Sequence, residues 1–248
     1  MTLKQFFQSN SKVALAFSGG VDSAYLLYAA KRYGADVRAY YVKTPFQPQF
    51  EYEDALAISS QLQVPMETIS LYVLDDPQIT ANPKNRCYYC KKRIFTAIVT
   101  QAAKDGYATV IDGTNASDNR SDRPGMQALE ELQILSPLQE CGLTKDDIRR
   151  LSKEAGLFTH DKPAYACLAT RIPTGTAITA DLLIKTERSE EFLKNLGFSD
   201  FRIRLFGDSA KLQIKEDQFP LLTEHRQTIL TKLKEDYASV LLDLEVRQ

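Results

Sequence analysis

Ser18-Gly19-Gly20-Val21-Asp22-Ser23 puts two glycines, two hydroxyls and one carboxylate into six consecutive positions. Glycines let backbone N–H groups close on an anion, and a helix opening at the same point adds its N-terminal partial positive charge. The hydroxyls of Ser18 and Ser23 can donate to phosphate oxygens. The carboxylate of Asp22 cannot face a phosphate unaided and suits Mg²⁺ held beside a pyrophosphate. The Gly-Lys-Ser/Thr ending of the ordinary P-loop is missing, so this is a phosphate loop of another kind. A bare Gly-rich turn is the plain alternative; the full six residues weigh against it.

Two further groups have spacing that could do chemistry. Gly113-Thr114-Asn115-Ala116-Ser117-Asp118 followed by Asp122-Arg123-Pro124-Gly125 offers Asp118 and Asp122 to a metal and Arg123 to a phosphate, although turn chemistry alone also favours Asn, Asp and Gly in such a loop. Cys87 and Cys90 have the two-residue separation that lets neighbouring thiolates share one centre, and Arg86, Lys91, Lys92 and Arg93 favour the thiolate. By itself the pair is open among zinc, a redox couple and an iron-sulfur site. Cys167 stands in a run of small residues before Arg171, where packing is the ordinary reading. Cys141 reads as structural, and His160 and His225 have no cysteine partner at metal spacing.

These groups need elements to hold them. An apolar run at 13–17 enters the glycines and a helical pattern follows from 23 to 30, so strand, tight turn and helix carry the phosphate loop. Strands are expected at 37–42, 66–73 and 109–112, with helices at 52–61, 91–104 and 144–155, the last capped by Thr144 ahead of Asp146 and Asp147. Strands alternating with helices predict a parallel sheet covered on both faces. The pattern then changes to helix 181–196, strands 201–206 and 210–215, helix 221–234 and strand 238–245. The expected division is 1–160, an α/β domain, and 161–248, a smaller α+β domain.

Composition narrows the function. With 31 Lys and Arg against 32 Asp and Glu, the net charge of -1 gives no overall field to gather a polyanion, which weighs against a nucleic-acid partner. Neither a membrane-length apolar run nor a secretory-type apolar stretch is found, so a cytoplasmic protein without a membrane partner is expected. There thiols stay reduced, and the four cysteines are ligands, nucleophiles or core residues rather than disulfides.

The six-residue loop resembles the signature of the PP-loop ATP pyrophosphatases. That likeness implies a Rossmann-like sheet, ATP with Mg²⁺, adenylation of a substrate and release of pyrophosphate. More narrowly, from Ser18 to about Lys215 the chain resembles the ATP-dependent sulfur transferases of the LarE family, through SGGVDS, NRCYYCKKRIF, GTNASD with DRPGM, LSPLQECGLTKDDIRRLSKEAGL, DKPAYACLATRIPTG and RIRLFGDSAKLQI. The resemblance implies adenylation of a pyridinium dicarboxylate mononucleotide, then sulfur attack to give a thiocarboxylate, in assembly of the nickel-pincer nucleotide cofactor. Members with cysteines at the positions of Cys87, Cys90 and Cys167 are similar in holding a [4Fe-4S] cluster; others sacrifice one cysteine at the Cys167 position. It also implies Lys91 on the ATP phosphates or the adenylate, Arg171, Arg202 and Arg204 on the acidic nucleotide, Glu190 nearby, and a homo-oligomer. Arg202 and Arg204 alternate along a strand and share a face, which ordinarily means a solvated sheet face. A tRNA thiolase, an ammonia-using PP-loop ligase and a non-catalytic ATP sensor are the competing functions.

Overall fold

The computed structural model describes residues 1–118 and 124–245, so Asp122 and Arg123 of the expected second loop lie outside the described residues. The chain divides into two compact units, Met1–Val73 with Asn85–Lys162, and Leu74–Lys84 with Pro163–Gln248.

The first unit opens on a helix that the apolar spacing did not announce. α1 (Leu3–Ser9) is fixed by a capping box between Thr2 and Gln5 and buries Leu3, Phe6 and Phe7. Then come β1 (Lys12–Ala16), α2 (Val21–Arg32), β2 (Asp36–Lys43), α3 (Gln49–Leu62) and β3 (Met66–Ser70). After residues 74–84 the unit resumes with α4 (Arg86–Lys104), β4 (Val110–Ile111), α5 (Pro124–Glu131) and α6 (Lys145–Glu154). The strands are all parallel in the order β3-β2-β1-β4.

Side chains alternate across these strands, so each strand feeds two cores. Val13, Leu15, Ala39 and Tyr41 pack with α1, α2 and α3, while Ala14, Tyr40 and Val42 pack with Phe95 and Ile98 of α4 and with α5. Both faces are therefore covered, as the alternation of elements requires. Successive strands move away from β1 on one side, and β4 adds on its other side. That reversal leaves a crevice at the carboxyl ends of β1 and β4, the place where open α/β sheets hold ligands.

Two boundaries differ from expectation in ways that matter. The helix expected from residue 91 begins at Arg86, so Cys87 and Cys90 lie inside its first turns. The strand expected to reach residue 73 ends at Ser70. The segment that follows joins the second unit. There Asn82, at φ 52°, donates from its amide to the carbonyls of Pro173 (2.8 Å) and Ile172 (3.3 Å), and its own carbonyl accepts from Gly175 (2.9 Å). These partners lie about ninety residues on in sequence, beyond the reach of local pattern.

The second unit contains α7 (Ala180–Asn195), capped by Thr179, a hairpin of β5 (Arg202–Phe206) and β6 (Ser209–Gln213), α8 (Phe219–Leu233) and β7 (Val240–Leu242). β5 and β6 are antiparallel, and β7 returns parallel to β6 after α8. Leu193, Phe198, Ile203, Leu212, Ile229 and Leu233 form its core. This is the smaller α+β unit expected from the changed pattern.

Candidate active site

Gly19 sits at φ 72°, in the left-handed region, and a Cβ there would lie 2.9 Å from the Cβ of Ala55. Only glycine fits both conditions. The turn it allows brings the Ser18 and Ser23 hydroxyls within 3.0 Å of each other, with the Gly20 N–H donating to Ser18 Oγ at 3.3 Å and Ser23 Oγ donating to the Gly20 carbonyl at 3.3 Å. Gly20 caps α2 without a side-chain hydrogen bond. The first N–H groups of α2 thus open on the crevice without a side-chain cap, beside two hydroxyls, which is a cradle for an anion.

The second loop closes on this cradle from β4. A Cβ on Gly113 would stand 3.0 Å from the Ser23 nitrogen, so glycine is what permits the two loops to meet. Buried Asp112 anchors the loop's base, accepting from Thr114 Oγ1 (2.5 Å) and Ser136 Oγ (2.7 Å). Asn115, also buried, donates from its side chain toward Asp22 Oδ1 at 3.4 Å, a long contact. Its side-chain oxygen accepts from the Ser117 N–H at 2.8 Å. Asp118 turns its carboxylate back on the loop, accepting from the Asn115 N–H at 3.1 Å. Asp118 therefore helps to shape the turn, and Asp122, expected to share a metal with it, lies outside the described residues.

Lys145 completes the group. Its Nζ lies 2.5 Å from Asp22 Oδ2, and its backbone N–H donates to Ser117 Oγ at 2.9 Å. It is the first residue of α6, whose capping box joins Thr144 and Asp147. By sequence pattern this segment reads only as a helix start. A signal was present: a lysine at the first helical position opposes the helix dipole and so asks for another reason to be there. In the free protein that reason is the carboxylate of the phosphate loop.

Cys87 and Cys90 stand three residues apart on α4, hence on one face; Cys87 is exposed and Cys90 half-buried. The guanidinium of Arg86 approaches Cys87 Sγ at 3.9 Å. Lys91 lays its aliphatic stem against Gly125 of α5, where a Cβ would come within 2.6 Å of it. Among the described residues, no three His, Cys, Asp or Glu side chains gather closely enough to hold a metal ion. Cys141 packs against the first core cluster, and burial pushes its thiol up.

The chain matches no protein-family model. It is 36% identical over 217 residues to an uncharacterised protein of Synechocystis, spanning 87% of this chain and 81% of that one. It is 32% identical over 217 residues to the pyridinium-3,5-bisthiocarboxylic acid mononucleotide synthase of Lactiplantibacillus plantarum, spanning 87% of this chain and 79% of that enzyme. The chain belongs to the LarE family. The wider PP-loop kinship shows in 28% identity over 187 residues to a tRNA-specific 2-thiouridylase of Pseudothermotoga lettingae, covering 61% of this chain and 54% of that enzyme. The LarE-family chain is thus a PP-loop enzyme, an ATP-dependent sulfurtransferase.

In its second unit this LarE-family protein gathers Arg171, Glu190, Arg202 and Arg204 around residues 164–171. Arg171, 1% exposed, grips Glu190 with two nitrogens (Nε to Oε1 2.8 Å, Nη2 to Oε2 3.0 Å) and donates from Nη1 to the Ala166 carbonyl (2.9 Å) and Thr170 Oγ1 (2.8 Å). Burial is the largest single influence and works against its charge, but the Glu190 hydrogen bond and the attraction of Glu190 and neighbouring groups together outweigh it, and the guanidinium pKa is raised. Glu190 also accepts from the Tyr165 hydroxyl (2.5 Å) and the Ile203 N–H (2.9 Å). Arg202 donates to the Ala164 carbonyl at 2.5 Å, and Arg204 to the Thr170 carbonyl at 2.8 Å.

Two expectations change here. Arg202 is buried, so its strand face is not the solvated one that charged alternation ordinarily means. Arg171 and Glu190, expected on the substrate, are turned on each other and on the loop that carries Cys167. The reason is electrostatic: a buried guanidinium needs a carboxylate and carbonyl acceptors around it. Tyr165, which sequence alone did not single out, joins the two.

Proposed function

We propose that the protein adenylates a carboxylate of pyridinium-3,5-biscarboxylic acid mononucleotide and replaces its oxygen by sulfur, in formation of the nickel-pincer nucleotide. In the first step a substrate carboxylate oxygen attacks the α-phosphorus of ATP, and pyrophosphate leaves. In the second a sulfur nucleophile attacks the acyl carbon, and AMP leaves with the carboxylate oxygen. The carboxylate needs this conversion because its own oxygen is a poor leaving group.

The observation that carries the reading is the convergence on Asp22. The amides of Gly19, Gly20 and Val21 and the hydroxyls of Ser18 and Ser23 would take the pyrophosphate, where charge develops as it departs. Asp22 would exchange Lys145 for Mg²⁺, freeing the ammonium for the same phosphates; Asn115 would steady the carboxylate. Lys91 would serve the ATP phosphates or the adenylate. Residues 1–160 would form the ATP domain and 161–248 the substrate and sulfur-transfer domain, with Arg202 and Arg204 toward the acidic nucleotide and Arg171 with Glu190 supporting them from behind.

For the sulfur we favour Cys87, Cys90 and Cys167 as ligands of a [4Fe-4S] cluster. What supports the first two is their donor chemistry and their shared helix face; the third ligand rests on the family pattern. Bound there, such a cluster would supply a sulfide at an iron without a protein ligand. Self-sacrifice of Cys167 is the other source. The small nucleotide is favoured over tRNA by the longer match to the mononucleotide synthase, 87% of the chain against 61%.

The test is a single-turnover reaction with MgATP and the pyridinium dicarboxylate. Pyrophosphate and thiocarboxylate should form with the protein, and pyrophosphate should disappear in Asp22→Ala. A protein that binds ATP and releases no pyrophosphate would end this reading. Mass spectrometry of the reacted chain decides the source, since sacrifice would leave dehydroalanine at Cys167.

A further inference from the structure

The segment carrying Cys167 is held from several sides, and the two arginines that hold it share one tyrosine. The Ala164 carbonyl before Tyr165 accepts from Arg202, and the Ala166 carbonyl after it accepts from Arg171. The Cys167 carbonyl accepts from the Thr170 N–H (2.9 Å) and Thr170 Oγ1 (2.8 Å), and Thr170 Oγ1 also accepts from Arg171. Tyr165 places its ring against both arginines, with their guanidinium carbons 4.5 Å (Arg171) and 5.0 Å (Arg202) from its centroid. Its hydroxyl donates to Glu190, the carboxylate that also binds Arg171 and the Ile203 N–H of β5.

The arrangement has a physical logic. Two guanidinium groups of like charge hold the carbonyls on either side of Tyr165, and they would repel across a gap. The aromatic face is attractive to both, Glu190 pairs with Arg171, and Asp200 stands 3.8 Å from Arg202. Removing the hydroxyl would leave a buried carboxylate oxygen one donor short, and removing the ring would leave two buried cations without their shared partner. The backbone two residues ahead of Cys167 is where either change would be felt.

We propose that Tyr165 is a positioning residue for sulfur transfer, fixing the direction in which the Cys167 segment presents its thiol. The inference rests on the reading that Cys167 takes part in sulfur delivery. It goes beyond that reading by assigning the orientation to a side chain that is neither part of the phosphate loop nor one of the three cysteines.

The experiment uses anaerobically purified full-length protein with MgATP, the pyridinium dicarboxylate mononucleotide and sodium sulfide. Tyr165→Phe keeps the ring and should lower thiocarboxylate formation about 10-fold, and Tyr165→Leu about 100-fold, the scale expected for misplacement approaching an ångström. Pyrophosphate formation should stay within about twofold of wild type in both, since a merely unstable protein would lose both steps together. Iodoacetamide labelling followed by peptide mass spectrometry should show a changed rate at Cys167 and an unchanged rate at Cys141. Equal thiocarboxylate rates in wild type and both variants, or parallel loss of pyrophosphate and thiocarboxylate, would overturn the proposal. Cys167→Ala separates the two levels. If that variant still transfers sulfur, the role of Cys167 falls and Tyr165 positions no donor; if it does not, and Tyr165→Phe is silent, only the positioning falls.

Discussion

Lys145→Met separates what an ion pair does for stability from what it does for chemistry. The Lys145–Asp22 pair is partly exposed, 31% and 23% on its two side chains, so water screens it. Pairs of that kind contribute about 0.2–1 kcal/mol. In a chain of this size that is a fall in melting temperature of roughly 2–4 °C at most. Methionine keeps most of the stem's packing and leaves the α6 capping box of Thr144 and Asp147 intact. If the ammonium moves to the phosphates once Mg²⁺ occupies Asp22, its loss should resemble removal of one preorganised donor from a charged transition state, about 100- to 1,000-fold in rate. Calorimetry of the free protein and single-turnover pyrophosphate release with MgATP and the pyridinium dicarboxylate measure the two effects. Lys145→Arg should recover part of the rate, because the charge returns with a different shape. A Lys145→Met protein that melts normally and releases pyrophosphate within about threefold of wild type would refute the reasoning and leave the lysine a surface counter-charge.

Gly19→Ala should weaken ATP binding and lower stability: the left-handed backbone alone costs roughly 1–2 kcal/mol, and the added methyl meets Ala55. Isothermal titration with MgATP and thermal melts check this; unchanged binding would contradict the cradle. Glu190→Ala should destabilise by about 3–5 kcal/mol, because it strands a buried guanidinium, whereas a loss below about 1 kcal/mol in urea unfolding would show the pair to be solvated. Cys87→Ser and Cys90→Ser should each abolish bound iron in anaerobic preparations while Cys141→Ala retains it; iron counting and visible absorption decide. Since burial raises the Cys141 thiol pKa, that residue should be alkylated at pH 8 more slowly than exposed Cys87, and equal rates would sink the assignment.

The local fold that carries the phosphate loop was legible in the sequence. The run into Gly19 and Gly20 required a strand, a turn and a helix, because an apolar stretch, two flexible residues and a helical pattern admit little else. The alternation through residue 155 required a covered parallel sheet, and the changed order after 160 a second, smaller unit. These are local facts, fixed by periodicity and by which residues tolerate unusual backbone angles.

What the tertiary structure alone decided involves residues brought together from far apart. Lys145 meets Asp22 across 123 positions, because α2 and α6 belong to one layered unit whose strand order places their ends at the same crevice. Residues 74–84 join the second unit through Asn82 and its partners at 172–175. Arg171 and Glu190, both read as substrate ligands, turn to each other, since burial makes a charge seek the nearest opposite one regardless of sequence distance. Composition and spacing name the groups available for chemistry; the free energy of desolvating them selects their partners, and that quantity exists only once the chain has folded.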